Sequence, residues 1–172
     1  LIAACIYVSC KRNNVPRSVK EVAAMFDLTV PELTKGAKRL HEIMNMCRKQ
    51  IHHTTANTEH STTVKTTGAA DFIDRFCSSL ELTPDIIDLC RHVANTATEL
   101  GIVDENTPPS VASGCIFLVA QMISCLKCTV TKKNISTACN ISEVTIGKCY
   151  KKLYPYRSYL FTEEHAAKYD II

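Results

Sequence analysis

The stretch that decides the fold is KNISTACNISEVTIGKCYKKL, residues 133–153, because an equivalent of it occurs earlier as KEVAAMFDLTVPELTKGAKRL, residues 20–40. The two stretches align at an offset of 113 residues (133 minus 20), with apolar residues at matching places. The aligned apolar pairs are Val22 with Ile135, Leu28 with Ile141, Leu33 with Ile146 and Leu40 with Leu153. Self-similarity of this kind predicts one supersecondary unit that occurs twice.

The similarity continues upstream, where AACIYVSC at 3–10 aligns with SGCIFLVA at 113–120. The second segment lies within VASGCIFLVAQMI, residues 111–123, which is apolar nearly all round and predicts a helix buried on every side. Residues 1–10 are then the same central helix of the first copy. Because the chain begins with Leu inside this apolar run, we expect the first copy to be N-terminally truncated.

Each aligned stretch reads as a helix, a tight turn and a second helix. In the second copy, residues 131–138 form a short helix, Asn140 lies in the turn, and Ser142 is a good N-cap for the next helix. Asn140 and its counterpart Asp27 occupy a place where left-handed backbone is expected, which Asn and Asp tolerate better than other non-glycine residues. The pattern is typical of a helix-turn-helix, although plain helical bundles also contain such pairs.

The second copy has room for three further helices before this pair. Apolar spacing and end signals predict them at about 69–80, 84–100 and 109–124. Thr83 is expected to cap the second of these, and Gly101 to end it. The sequence therefore predicts an all-α chain of two five-helix repeats, the first incomplete.

The domain boundaries follow from the same pattern. The first repeat is expected at 1–47 and the second at 69–161, with a tail at 162–172. Residues 48–68 carry many Thr and His and no apolar periodicity, which predicts a solvated linker.

Charge is unevenly distributed around a net of +3. Residues 1–50 carry nine basic and four acidic residues, 69–108 carry two and eight, and 109–160 carry seven and one. Along the helix at 142–153, Thr145, Lys148 and Lys152 fall opposite the apolar stripe Ile146, Cys149, Tyr150 and Leu153. Two basic blocks permit an anionic partner at two places, and ordinary surface charge is the other interpretation.

Ten cysteines raise the questions of disulfides, metals and nucleophiles. Most fall on apolar stripes, which favours reduced thiols in an intracellular protein. Cys125 and Cys128 form a lone CxxC, whereas structural zinc needs four ligands. Candidate zinc ligands elsewhere are Cys47, His52, His53 and His60. They lie in or beside the linker, where nothing fixes their geometry, so we expect no metal or other cofactor in this chain.

Catalysis is not expected either. Cys77 and His92 are the nearest approach to a nucleophile pair, but Cys77 falls on an apolar stripe, where a thiol stays protonated. The sequence has no paired carboxylates, phosphate-cradling glycine loop or nucleophile elbow.

Several segments together resemble a known family. They are AACIYVSCKRNNVPRSVKE at 3–21, TTGAADFIDRFCSSLEL at 66–82, SEVTIGKCYKKLYP at 142–155 and LF at 160–161. In order and spacing they resemble the C-terminal core of the transcription factor IIB family. This core carries two cyclin-like repeats, and the family includes an archaeal counterpart and a related RNA polymerase III-type subunit.

The resemblance implies a general transcription initiation factor, without enzymatic activity, that clamps the TATA-binding protein on promoter DNA and helps recruit RNA polymerase. It implies a monomer without membrane contact, located in the nucleus or in the transcription compartment of a virus or archaeon. The family's zinc ribbon would lie upstream of residue 1. The alternative is a cyclin-like regulatory subunit of a protein kinase that touches no DNA.

The resemblance also implies a nucleic-acid interface. The family's recognition helix maps onto Ser142–Leu153, and the loop Arg12–Arg17 matches a segment that approaches DNA downstream of TATA. The expected contacts are Arg12, Arg17, Lys20, Lys132, Lys133, Ser142, Val144, Thr145, Lys148, Lys151 and Lys152. Gly147 stands where eukaryotic members place an Arg that can bond guanine, so the lysines are expected to give affinity without sequence specificity. For the first-repeat residues, a capping or surface role is the other interpretation.

Overall fold

The computed structural model describes residues 1–52, 67–169 and 171. Of residues 48–52 it describes the backbone but not the side chains. The chain divides into two compact units, Leu1–Thr67 and Gly68–Ile172. All regular secondary structure of the described residues is helical, which confirms the all-α prediction.

The first unit is a three-helix arrangement in its described part. Its helices are α1 (Ile2–Arg12), α2 (Val19–Met25) and α3 (Val30–His52). A capping box starts α2, because Ser18 Oγ accepts from the Glu21 N–H while the Glu21 carboxylate accepts from the Ser18 N–H. The small core consists of Ala3, Ala4, Val22, Ala23 and Leu33.

The second unit is larger and better packed. Its helices are α4 (Ala70–Ser79), α5 (Pro84–Glu99), α6 (Pro108–Met122), α7 (Lys132–Cys139), α8 (Glu143–Leu153), a 3-10 turn (Tyr154–Tyr156), α9 (Arg157–Leu160) and α10 (Glu163–Tyr169). Every residue of α6 from Ser110 to Ala120 is buried, because α4, α5, α7 and α8 all pack against it. The predicted central helix is therefore confirmed.

The predicted turn geometry is present in both copies. Asn140 has φ 54° between α7 and α8, and Asp27 has φ 50° between α2 and α3. Ser142 caps α8 as predicted, since its Oγ accepts from the Thr145 N–H at 3.3 Å. Thr83 is the N-cap residue of α5, as predicted, and its side chain makes no capping hydrogen bond. Gly101, with φ 66°, ends that helix as predicted.

The crossing of α6 and α8 fixes which side of α8 faces outward. A Cβ added to Gly114 would lie 2.5 Å from the Cβ of Cys149, closer than real Cβ atoms approach one another. The glycine therefore lets the backbone of α6 lie directly against the Cys149 side chain of α8. Tyr150 extends the contact with an edge-to-face arrangement on Phe117, at 5.1 Å between ring centroids.

Two predicted boundaries differ from the structure. Helix α3 continues to His52, five residues into the predicted linker, because Arg48, Lys49 and Gln50 are strong helix formers. Residues 53–66 of that linker lie outside the described residues. The predicted tail contains α10, whose Tyr169 and the following Ile171 pack against the core.

Candidate nucleic-acid interface

The outward face of α8 is cationic at its centre. Lys148 and Lys151 are exposed there, beside Val144, which is 67% exposed. On the opposite side Ile146, Cys149 and Leu153 are fully buried. Burial of this apolar stripe holds the lysines outward, so the amphipathic pattern read from the sequence is realised in the fold.

The start of α8 is organised by two hydroxyl groups. The Oγ of Ser142 and the Oγ1 of Thr145 lie 2.8 Å apart, in addition to the capping bond between the two residues. Ser142 and Thr145 were both expected to face nucleic acid. The structure uses their hydroxyls to fix the first turn of the helix, which sets the direction in which Val144 and Lys148 project.

One flank of the face carries an ion pair. The Lys152 ammonium lies 3.0 Å from the Glu105 carboxylate and 3.3 Å from the Asn106 side-chain oxygen, both in the loop before α6. The Lys152 side chain remains 42% exposed and that of Glu105 87% exposed. Glu105, from the acidic segment 69–108, thus partly neutralises the charge of Lys152, one of the predicted contacts.

The other flank is formed by the start of α7. Lys132 and Lys133 are both exposed there. The Lys132 ammonium lies over the Phe117 ring, 5.1 Å from its centroid, and 3.7 Å from the position that a Cβ on residue 147 would occupy. The structure therefore brings Lys132 of α7 next to the helix that carries Lys148 and Lys151.

The predicted contacts of the first unit lie around its first loop. Arg12 ends α1 and Lys20 lies on α2, and both are exposed. The Arg17 guanidinium donates to the backbone oxygens of Val15, at 3.1 Å, and Pro16, at 3.4 Å. Arg17 is thus held against its own loop, which fits the alternative of a local structural role better than that of a free cation.

Sequence reasoning missed a second set of cations. Lys35, Lys38 and Arg39 are exposed on α3. Under the offset of 113 residues they correspond in turn to Lys148, Lys151 and Lys152. They line a groove of about 510 Å³ together with Glu42, Ile43 and Met46. The repeat register already contained this signal, because it pairs charged positions as well as apolar ones.

The surroundings of the thiols disfavour a nucleophile. A hydrogen bond with Cys77 and burial raise the pKa of Cys90, and burial raises the pKa of Cys115. Cys77 itself is fully buried. Since a thiolate is the reactive form, the raised pKa values of Cys90 and Cys115 disfavour these two thiols as nucleophiles at neutral pH.

Metal ligands do not cluster in the described part of the chain, where no group of three His, Cys, Asp or Glu residues could hold an ion. Cys125 and Cys128 are exposed in the loop after α6. His53 and His60, two of the zinc candidates, lie outside the described residues.

Among the helices described, each is too short or too polar to cross a membrane.

Comparison with known proteins agrees with this architecture. The family model described as Transcription factor TFIIB repeat, a cyclin-like fold, matches residues 1–45 and 62–156. A transcription initiation factor IIB-like protein of Acanthamoeba polyphaga mimivirus is 33% identical over 156 residues, covering 91% of this chain and 32% of that protein. Transcription initiation factor IIB of Dictyostelium discoideum is 30% identical over 164 residues, covering 95% and 45%. That of Homo sapiens is 30% identical over 161 residues, covering 94% and 45%.

The chain spans less than half the length of these relatives. The match nevertheless covers both copies of the repeat, and the two copies have the helix-turn-helix geometry that the sequence predicted. With its duplicated helical unit and its match to the TFIIB repeat, the chain belongs to the transcription factor IIB family.

Proposed function

We propose that the chain is the promoter-binding core of a general transcription initiation factor, which binds the TATA-binding protein on promoter DNA and helps recruit RNA polymerase. It acts in the nucleus or in the transcription compartment of a virus. The observation that carries the proposal is the exposed cationic face of α8, with Lys148 and Lys151 at its centre, on the second helix of a helix-turn-helix.

The geometry suits duplex DNA. In helix-turn-helix proteins the second helix lies in the major groove with its N-terminal residues toward the bases, and the first crosses the backbone. Val144 projects from the first turn of α8 and can meet apolar base edges such as the thymine methyl. Lys148 and Lys151 are placed to neutralise phosphates, and Lys133 lies at the start of α7.

The first unit adds a second cationic stripe. Lys35, Lys38 and Arg39 occupy on α3 the places that the lysines occupy on α8. A factor that embraces DNA on both sides of a bound protein uses basic surfaces in both repeats. The rival function, a kinase regulatory subunit without DNA contact, gives no reason for the same cationic positions to occur in both copies.

The proposal is tested by a gel mobility shift with a TATA-box duplex and the TATA-binding protein. The 172-residue chain should retard the complex further at low salt. Lys148→Ala combined with Lys151→Ala should weaken this binding on all promoter sequences and reduce the salt slope by about 1.8, since each phosphate contact contributes about 0.9.

The matched control is Arg91→Ala combined with Lys168→Ala, which removes the same charge from α5 and α10. It should leave the salt slope unchanged. Failure of the wild-type chain to retard the complex at low salt would contradict the proposal, and stable capture of a protein kinase by the chain would favour the rival.

A further inference from the structure

Gly147 leaves a bare patch on the outward face of α8 that packing does not require. A Cβ added there would meet one atom within 4 Å, the ammonium of Lys132 at 3.7 Å, which is an ordinary contact with the end of a flexible side chain. Its backbone is helical, so no positive φ demands glycine. The close crossing at Gly114 is different, because there a Cβ would overlap Cys149.

The space beside Gly147 is occupied from another helix. The Lys132 side chain starts on the first turn of α7 and places its ammonium both next to Gly147 and over the Phe117 ring. Phe117 is buried, and its ring contacts the Tyr150 ring edge to face. The Lys132 ammonium therefore makes a cation–π contact with a buried ring. A side chain restrained in this way loses less rotamer entropy on binding than a free lysine does.

The neighbouring lysine is not held in this way. Lys133 is exposed, and within the described residues it has neither a carboxylate nor an aromatic ring as partner. Of the two adjacent lysines on α7, Lys132 is therefore the one whose ammonium lies beside Gly147.

On the basis of the proposed function, we infer that Lys132 is a specificity-determining residue that reads a base across Gly147. A residue without a side chain lets a ligand approach the helix backbone closely. The acceptor edge of a purine in the major groove fits this arrangement, and guanine fits best, because its N7 and O6 both accept hydrogen bonds from a lysine ammonium. The reading cation thus comes from the first helix of the motif, and α8 makes room for it.

The experiment is selection from duplexes randomised upstream of a fixed TATA box, using the 172-residue chain with the TATA-binding protein. The wild-type chain should enrich guanine at one upstream position. Lys132→Met, which keeps an apolar stem on Phe117 and removes the cation, should reduce that preference by about fivefold or more. Lys133→Met is the matched control and should weaken binding equally on all sequences.

A second pair of variants tests the shared space. Gly147→Arg fills the patch and displaces Lys132, so Lys132→Met should change base preference much less in that background than in the wild type. Circular dichroism verifies that each variant is folded.

Equal base preference in the wild type and Lys132→Met overturns the inference while leaving the proposed function standing, as does binding by the wild type without any preference. Absence of binding by the wild type overturns the proposed function itself. Loss of preference in Lys132→Met but not in Lys133→Met supports the inference.

Discussion

The two copies of the repeat place a glycine on opposite helices of the corresponding crossing, and the crossing is tighter in the second copy. In the second copy the central helix contributes Gly114 and the helix-turn-helix contributes Cys149. Under the alignment the first copy has Ala4 and Gly36 at these places, and a Cβ on Gly36 would lie 3.5 Å from the Cβ of Ala4. The close approach in the second copy therefore requires a glycine, whereas the crossing in the first copy has room for a Cβ at residue 36.

The copies differ more in how fully the central helix is covered. Ile2 and Ile6 on α1 are 73% and 39% exposed, whereas their counterparts Ala112 and Ile116 on α6 are buried. In the second unit α4 and α5 pack against α6 in addition to α7 and α8. The described part of the first unit has α2 and α3 alone against α1. The same sequence pattern thus gives a fully buried central helix in the second copy, whereas the central helix of the first copy leaves Ile2 and Ile6 exposed.

The largest expected effect breaks the crossing in the second copy. Gly114→Ala places a Cβ 2.5 Å from that of Cys149, where both atoms are fixed to helix backbones. Overpacking of this kind should destabilise the second unit by about 1–3 kcal/mol, despite the better helix propensity of alanine. The measurement is urea unfolding of the 172-residue chain.

The control is to exchange the residues as the first copy has them. Gly114→Ala combined with Cys149→Gly should recover much of the lost stability, because the overlapping Cβ is removed. Gly36→Ala should be neutral or stabilise by up to about 1 kcal/mol, since its contact with Ala4 is of ordinary length. Equal losses from Gly114→Ala and Gly36→Ala would show that the crossings are not built in the way described.

A smaller effect should be the same in both copies. Asn140→Ala and Asp27→Ala each force alanine into left-handed backbone, at φ 54° and 50°, which costs about 1 kcal/mol. The matching glycine variants should cost little, because glycine adopts this conformation freely. Unfolding measurements on the four variants decide the point, and a loss confined to one copy would argue against a shared turn.

The cationic residues of α3 and α8 should differ in DNA binding at one aligned pair, Arg39 and Lys152. Arg39 has no acidic partner within the described residues, whereas its counterpart Lys152 is paired with Glu105. Glu105→Gln should raise affinity for the promoter complex about two- to threefold by releasing Lys152, as expected for an exposed pair. Glu99→Gln, an exposed change in the same unit, is the control for net charge. No difference between the two in a salt titration would mean that Lys152 is not a phosphate contact.

The smallest expected effect is a pH dependence specific to the second unit. The His92 and His165 rings lie 4.8 Å apart, and His165 Nδ1 accepts from the Thr162 N–H. Burial and His92 lower the pKa of His165, with Lys168 acting in the same direction and Glu164 opposing. The folded chain therefore binds this proton less readily than the unfolded chain. The contribution of neutral His165 to stability is fully present above 6.5, the ordinary pKa of histidine. It is lost as the pH falls through the lower pKa that His165 has in the folded chain.

His165→Gln should flatten this dependence between about pH 7 and 5, where histidines titrate. The measurement is the thermal unfolding midpoint of the second unit across that range, with His41→Gln in the first unit as control. A dependence that survives His165→Gln unchanged would assign it to other groups.

Local chemistry in the sequence was enough to predict much of this protein. The helix-turn-helix, the left-handed turn residues Asn140 and Asp27, the Ser142 cap and the two faces of α8 all follow from residues within a few positions of one another. The repeat follows from aligning two such stretches. Such features depend on backbone preference and on helical periodicity, which the order of residues expresses directly.

Tertiary structure alone decided how the lysines differ. Lys152 meets Glu105, which lies 47 residues away, and Lys132 lies over Phe117 and beside Gly147. The same holds for the contact of Gly114 with Cys149 and for the docking of α10 through Tyr169. These contacts arise where helices distant in sequence cross, and the crossing is set by packing of the whole core, which no local pattern of residues contains.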